Sequence, residues 1–212
     1  MTAVVDLLRE GVEAGGPIVV ILGGLSVYAL ALVILKAVQL AGVLGGRRAR
    51  EAAIVSWGRG ERETAERALS EGRTPMDRVV LAAMRGRAAG LDRVALTAEV
   101  ERLGNAELDR LGRNLRMLEV IAMVSPLLGL LGTVLGMIQS FQELELAGGS
   151  ANAAVLAGGI WQALLTTAAG LSVAIPAAIA ANLMAARVDR VGHAIEHDAG
   201  RILAAVPVHP AG

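Results

Sequence analysis

The sequence predicts an all-α membrane protein, with three transmembrane helices joined to long helical extensions outside the bilayer. Apolar residues make up 54% of the 212 positions while aromatics make up only 2%, and mean hydropathy is +0.56, a balance that suits membrane helices better than a soluble core. The charged residues are segregated from the apolar ones. Uncharged runs of 22 residues separate Glu13 from Lys36, 23 separate Glu119 from Glu143, and 41 separate Glu145 from Arg187, where about 20 suffice to cross a bilayer. Of the 20 Lys and Arg, 15 lie between Arg47 and Arg116, and none lies between Glu143 and Ala151.

The first run predicts a span at 17–41 behind a short segment, 1–16. Asp6, Glu10 and Glu13 outnumber the one Arg of that segment, so it lacks the positive leader of a secretory signal and is expected to remain as an anchor. Gly45-Gly46 marks the exit, and residues 42–118 form a helical domain with blocks at 47–57 and 61–69 punctuated by glycines. Thr74-Pro75 reads as a helix start. Leu108, Leu111, Leu115 and Leu118 recur at helical spacing, and the stripe runs into the second span (119–142) without a turn signal. One helix over residues 92–141 is therefore expected, with Gly104 and Gly112 as the places where it could break.

The third run is about twice the length a bilayer needs. Gly148-Gly149-Ser150 puts a loop at 143–151, the third span at 152–182 and a tail at 183–212. By the positive-inside rule the 42–118 domain and the tail are cytoplasmic, while the N-terminus and the 143–151 loop are periplasmic.

Two faces of small residues stand out. In the second span Ser125, Gly129, Gly132, Thr133, Gly136 and Ser140 share one side; in the third, Gly159, Ala163, Thr166, Thr167 and Gly170 do the same. Such faces let membrane helices approach closely, and two of them bearing hydroxyls predict a common, pore-facing interior. The competing reading is that each Thr bonds its own helix and only packs. Pro126 and Pro176 predict kinks, which membrane helices tolerate. No Asp, Glu, Lys, Arg or His lies between Val120 and Gln142 or between Ala147 and Ala186, so a proton path through these spans needs a carboxylate from another chain.

Other chemistries are excluded on residue grounds. His193, Glu196 and His197 have the H-x-x-E-H spacing of one zinc-peptidase class, but no third ligand accompanies them, and they read as a solvated helix face. The Gly129–Gly136 run lacks the ending of a phosphate loop. Basic runs with interleaved aromatics are absent, so nucleic acid is not an expected partner. No metal, cofactor or covalent reaction is expected.

The segments 125–137, SPLLGLLGTVLGM, and 159–171, GIWQALLTTAAGL, resemble the second- and third-span motifs of the MotA/TolQ/ExbB proton channel family, and the three-span order resembles its ExbB/TolQ branch. The resemblance implies a homopentameric ring whose second and third helices surround a central pore. That pore would hold an ExbD- or TolR-like dimer of single-span chains, bringing the missing Asp. It further implies a subunit of a proton-motive-force-driven inner-membrane motor, not an enzyme, that energises a TonB- or TolA-like protein. The work would serve uptake of scarce nutrients such as iron chelates or, alternatively, envelope maintenance and division. By motif position Thr133 and Thr167 match the family's ion-path hydroxyls, with Thr166 and Gln162 beside them; many relatives carry Glu where this chain has Gln162. A non-conducting membrane scaffold is the reading of another class.

Overall fold

The computed structural model describes residues 2–146 and 153–204, with side chains described at 16–146 and 156–204. Seven α-helices follow in order among them: α1 Thr2–Leu40, α2 Arg47–Gly58, α3 Arg62–Ser70, α4 Pro75–Ala88, α5 Arg93–Gly112, α6 Leu115–Leu146 and α7 Ala153–Ala204. Three stretches are long and apolar enough to cross a membrane, Gly16–Leu40, Leu115–Leu146 and Leu156–Ala204. The all-α, three-span expectation therefore holds.

The chain divides into two compact units. An apolar unit takes the residues up to Lys36 together with Asn114–Leu183, and a charged unit takes Ala37–Arg113 together with the residues from Met184 onward.

In the apolar unit, α1 is interrupted at Gly16, where φ is 70° and ψ −171°. That conformation is open to glycine and closed to most other residues, and Pro17 restarts the helix with φ already set. Ile18, Leu22, Ala29, Leu32 and Lys36 form one buried stripe of α1, and Lys36 is only 1% exposed. The other faces carry Val27, Leu30 and Ile34 on α1, Leu127, Leu130 and Ile138 on α6, and Leu164, Ile175 and Ile179 on α7, all exposed. So much outward apolar surface suits hydrocarbon rather than water.

The single helix expected over residues 92–141 is not present. α5 ends at Gly112, Arg113 leaves the helical region (φ −54°, ψ 134°), and Asn114 adopts φ 70° before α6 begins at Leu115. Asn is one of the few side chains that accept the left-handed region, and two residues before it stands Gly112, of low helix propensity. The leucine stripe survives the break, since Leu111, Leu115 and Leu118 are all buried. Residues 143–146 belong to α6, and the rest of the expected 143–151 loop lies outside the described residues. The expected tail is helical as far as Ala204, and 205–212 lie outside the described residues.

In the charged unit, helix starts follow their sequence signals. Thr74 and Asp77 form a reciprocal capping box with Pro75 in the first turn, and the Asp92 side chain accepts from the Ala95 amide at 2.7 Å. The α4 helix stops at Ala88, and Gly90 turns the chain with φ 78°. Met76, Val79, Val80 and Met84 of α4 pack with Leu69, Leu96, Val191 and Ile202 as a core.

Arg50 is buried within it, 3% exposed. Its Nε donates to Asp198 Oδ2 at 2.5 Å, and one terminal nitrogen donates to Asp77 Oδ1 at 2.9 Å and the Gly45 carbonyl at 3.3 Å. Burial works against the guanidinium charge, but the bonds from Asp198 and Asp77 outweigh it and hold the Arg50 pKa above its ordinary value. Removing one member of a buried charge set costs more than the set itself contributes, because the partners are left unpaired. Arg50→Ala is thus expected to destabilise the protein by about 3–5 kcal/mol, with Arg50→Lys intermediate, read by thermal unfolding of the detergent-solubilised chain.

Arg78 grips Glu107 with two bonds of 2.7 and 2.6 Å. The hydrogen bond from Arg78 holds the Glu107 carboxyl below its ordinary range, against an opposing push from partial burial. A folded-state value below the unfolded one gives stability that is present above the ordinary carboxylate range and is lost as pH falls through the folded value. Glu107→Gln should therefore flatten the acid limb of a pH series of melting temperatures. An unchanged acid limb would count against this pair's role.

Candidate functional site

The small faces of α6 and α7 meet each other within one chain. A Cβ built on Gly170 would lie 2.5 Å from the Ser125 carbonyl oxygen and 3.1 Å from Gly129 Cα; one on Gly129 would lie 2.9 Å from the Thr166 carbonyl oxygen and 3.0 Å from Thr167 Cα. Further along, Gly132 faces the Thr166 side chain, Gly136 faces Ala163 at 3.3 Å, and Gly159 faces Ser140. Numbers rise on α6 as they fall on α7, so the two helices run antiparallel. Glycine is required wherever the neighbour is backbone, because a backbone cannot swing aside.

Ser125, Gly129, Gly132 and Ser140 of α6 are buried in this seam, as are Ala163, Thr166 and Gly170 of α7. Gly136 and Gly159 are half-buried. The hydroxyls mostly turn inward: Ser125 donates to the Ile121 carbonyl at 2.7 Å, Ser140 to Gly136 at 2.9 Å and Thr133 to Leu130 at 2.7 Å. Thr166 donates to Ala163 in its own helix at 2.7 Å and reaches the Gly129 carbonyl across the seam at 3.2 Å. Thr167 reaches the same Gly129 oxygen at 3.3 Å.

Thr133, Thr167 and Gln162 are half-buried, whereas Thr166 is 2% exposed. The structure thus gathers Thr166 and Thr167 at the Gly129 carbonyl, with Thr133 one turn further along α6, while Gln162 sits a turn away on α7 with no hydrogen bond to the seam among the described residues. Pro126 and Pro176 lie inside helices that continue through them, and each leaves the carbonyl four residues earlier without its backbone donor.

His193 and Glu196 are exposed, 3.8 Å apart, and His197 contacts Asp198 at 3.0 Å. Four buried charges among the described residues escaped the sequence reading, Lys36, Arg50, Asp77 and Asp198. Lys36 falls on the periodic stripe Ile18-Leu22-Ala29-Leu32, the signal that could have found it. Arg50 follows Arg47 and Arg48 in a basic run where nothing local sets it apart from them.

The MotA/TolQ/ExbB proton channel family matches residues 71–197, an interval that contains α6, most of α7 and the whole seam. The chain belongs to this family. Relatives within it include the biopolymer transport protein exbB1 of Vibrio cholerae, 48% identical over 83 residues, covering 39% of this chain and 36% of that protein. The Tol-Pal system protein TolQ of Haemophilus influenzae is 40% identical over 99 residues, covering 47% and 41%. The biopolymer transport protein ExbB of Helicobacter pylori is 37% identical over 103 residues, covering 47% of this chain and 70% of its own length. The match to the Vibrio protein therefore spans little more than a third of that relative.

The seam makes a size-swap prediction. Gly132→Ala puts a methyl into the Thr166 side chain and should destabilise by about 1–3 kcal/mol; adding Thr166→Ala vacates the space and should restore most of the loss. Gly170→Ala meets backbone instead and should not be rescued by Thr166→Ala. Thermal unfolding in detergent reads both results.

Proposed function

We propose that the chain is the ring-forming, ion-conducting subunit of an ExbB/TolQ-type motor in the bacterial inner membrane. Five copies surround a pore, with the 42–118 domain and the C-terminus cytoplasmic and the N-terminus periplasmic. The observation that carries this reading is the Thr133, Thr166, Thr167 and Gly129 cluster, set between two stretches, 120–142 and 147–186, that hold no acid or base of their own. A proton cannot hop through such spans without a carboxylate. An ExbD- or TolR-like dimer of single-span chains would bring one, and hydroxyls facing it would donate to the charged form and accept from the protonated form. Each charge moving down about 100 mV releases about 2.3 kcal/mol, which the assembly would pass to a TonB- or TolA-like partner. The chain itself makes and breaks no covalent bond in this scheme. Both ExbB- and TolQ-named relatives match, and nutrient uptake and envelope maintenance both fit.

A second reading has one observation in its favour. Thr166 is buried and satisfied, as a residue that only packs would be, and a scaffold whose glycine seams merely assemble would look alike there.

The Val variants separate the two. Thr133→Val and Thr167→Val keep the shape and remove the hydroxyl, so proton-driven activity of the co-expressed complex should fall by about tenfold or more while the yield of assembled ring is unchanged. Near-normal activity in both variants would leave the scaffold reading standing.

A further inference from the structure

Within the charged unit, a cavity of about 290 Å³ opens between the turn that follows α1 and one face of α7. Leu40, Gly42, Val43, Leu44, Gly45, Arg187 and Arg190 line it. Three features of this cavity point to one kind of ligand.

The first is charge. Arg187 and Arg190 stand three apart on α7 and so share a face. Both are exposed. Arg190 spends only its Nε, on the carbonyl of Ala186 at 3.1 Å, and Arg187 makes no hydrogen bond or ion pair among the described residues. No Asp or Glu lines the cavity. Arg50, Arg78 and Arg201 of the same unit are matched with carboxylates, whereas the two arginines on the cavity wall have none among the described residues.

The second is the turn. The amides of Ala41, Val43 and Gly45 are spent on Val38, Leu40 and Gly42 carbonyls at 3.2, 3.4 and 2.8 Å. Those of Gly42 and Leu44, which also line the cavity, make no backbone bond in the turn. The third is position. Leu40 is the last residue of the span Gly16–Leu40, so the cavity lies where hydrocarbon gives way to water, and Val43 and the exposed Leu44 give it an apolar flank beside its two charges.

We propose that this cavity holds the phosphate of an anionic phospholipid, with Arg187 and Arg190 on the phosphate oxygens and the acyl chains against Val43 and Leu44. Basic pockets at the edge of membrane helices bind acidic headgroups in this way, and guanidinium groups match phosphate geometry. The proposal rests on the chain crossing a membrane, and it is independent of whether the seam conducts ions.

Native mass spectrometry of the full-length, detergent-extracted protein tests it, with phosphatidylglycerol and phosphatidylcholine titrated in turn. Wild type should retain phosphatidylglycerol in preference to phosphatidylcholine. Arg187→Gln with Arg190→Gln should weaken that retention by about tenfold or more, and Arg187→Lys with Arg190→Lys should keep most of it. Millimolar inorganic phosphate should not displace the lipid. Equal retention of the two lipids by wild type overturns the proposal whatever the variants do, as does unchanged retention in the Gln pair. Displacement by inorganic phosphate would make the site one for a free anion and overturn the lipid assignment.

Discussion

Gly170 and Gly129 bring the backbones of α6 and α7 within van der Waals contact, and a Cβ at either place would collide with main-chain atoms of the other helix. In hydrocarbon no hydrophobic effect drives two helices together, so association depends on such close fits and on the few interhelical hydrogen bonds they allow. The closeness has a direct chemical product. Only at this separation can Thr166 and Thr167 reach the Gly129 carbonyl from the opposite helix. Lengthen the contact by one methyl and the hydroxyls lose their shared acceptor along with the packing.

The charged unit solves the opposite problem. Its helices are short and polar, and α2, α4 and α7 are tied through one side chain, the Arg50 guanidinium, which bonds Asp77 in the capping box of α4 and Asp198 near the end of α7. Asp77 has a double duty, closing the first turn of its own helix by accepting from Thr74 and receiving Arg50. Gly72 belongs to the same arrangement, because a Cβ there would lie 2.6 Å from Asp77 Cβ. Ion pairs of this burial supply little net stability, but they penalise every packing that leaves one charge alone. They specify an arrangement that apolar contacts among Ala, Val and Met would leave loosely defined.

How far the sequence disclosed this depends on the range of each signal. The spans were legible because their lengths and the segregation of charge are properties of contiguous residues, and the capped starts at Thr74 and Asp92 were legible because a cap is local. The break at Asn114 was also local, yet the leucine stripe hid it: Leu111, Leu115 and Leu118 keep helical spacing on both sides of a single left-handed residue. Within the site, the small faces could be read from periodicity, but not which face each would meet. That Gly132 faces Thr166, and that Thr166 is closed in while Thr167 stays half-open, follows from the register of two helices separated by a turn, which no spacing within either helix encodes. Arg50 and Lys36 were missed for the same reason, since burial of a charge is decided by partners distant in sequence.

The two adjacent threonines then carry different chemical possibilities, although one carbonyl serves both. Thr166 has a good bond within its own helix, at 2.7 Å to Ala163, and is shut off from its surroundings, so its O–H has no acceptor beyond that carbonyl and the more distant one of Gly129. Thr167 has only the longer bond of 3.3 Å to Gly129 and a half-exposed side chain. A carbonyl oxygen has two lone pairs, and in a helix one of them serves the backbone amide four residues on, here that of Thr133. Two hydroxyls must then compete for what remains. With Thr166 already satisfied at Ala163, Thr167 holds its place at Gly129 weakly and can rotate its proton toward an incoming carboxylate at little cost. In the proposed motor, that makes Thr167 the hydroxyl able to answer a charge that comes and goes, and Thr166 the one that keeps the seam closed beside it. The amide at Gln162 offers both donor and acceptor without a proton to release, so in the proposed motor a titrating group would have to come from another chain.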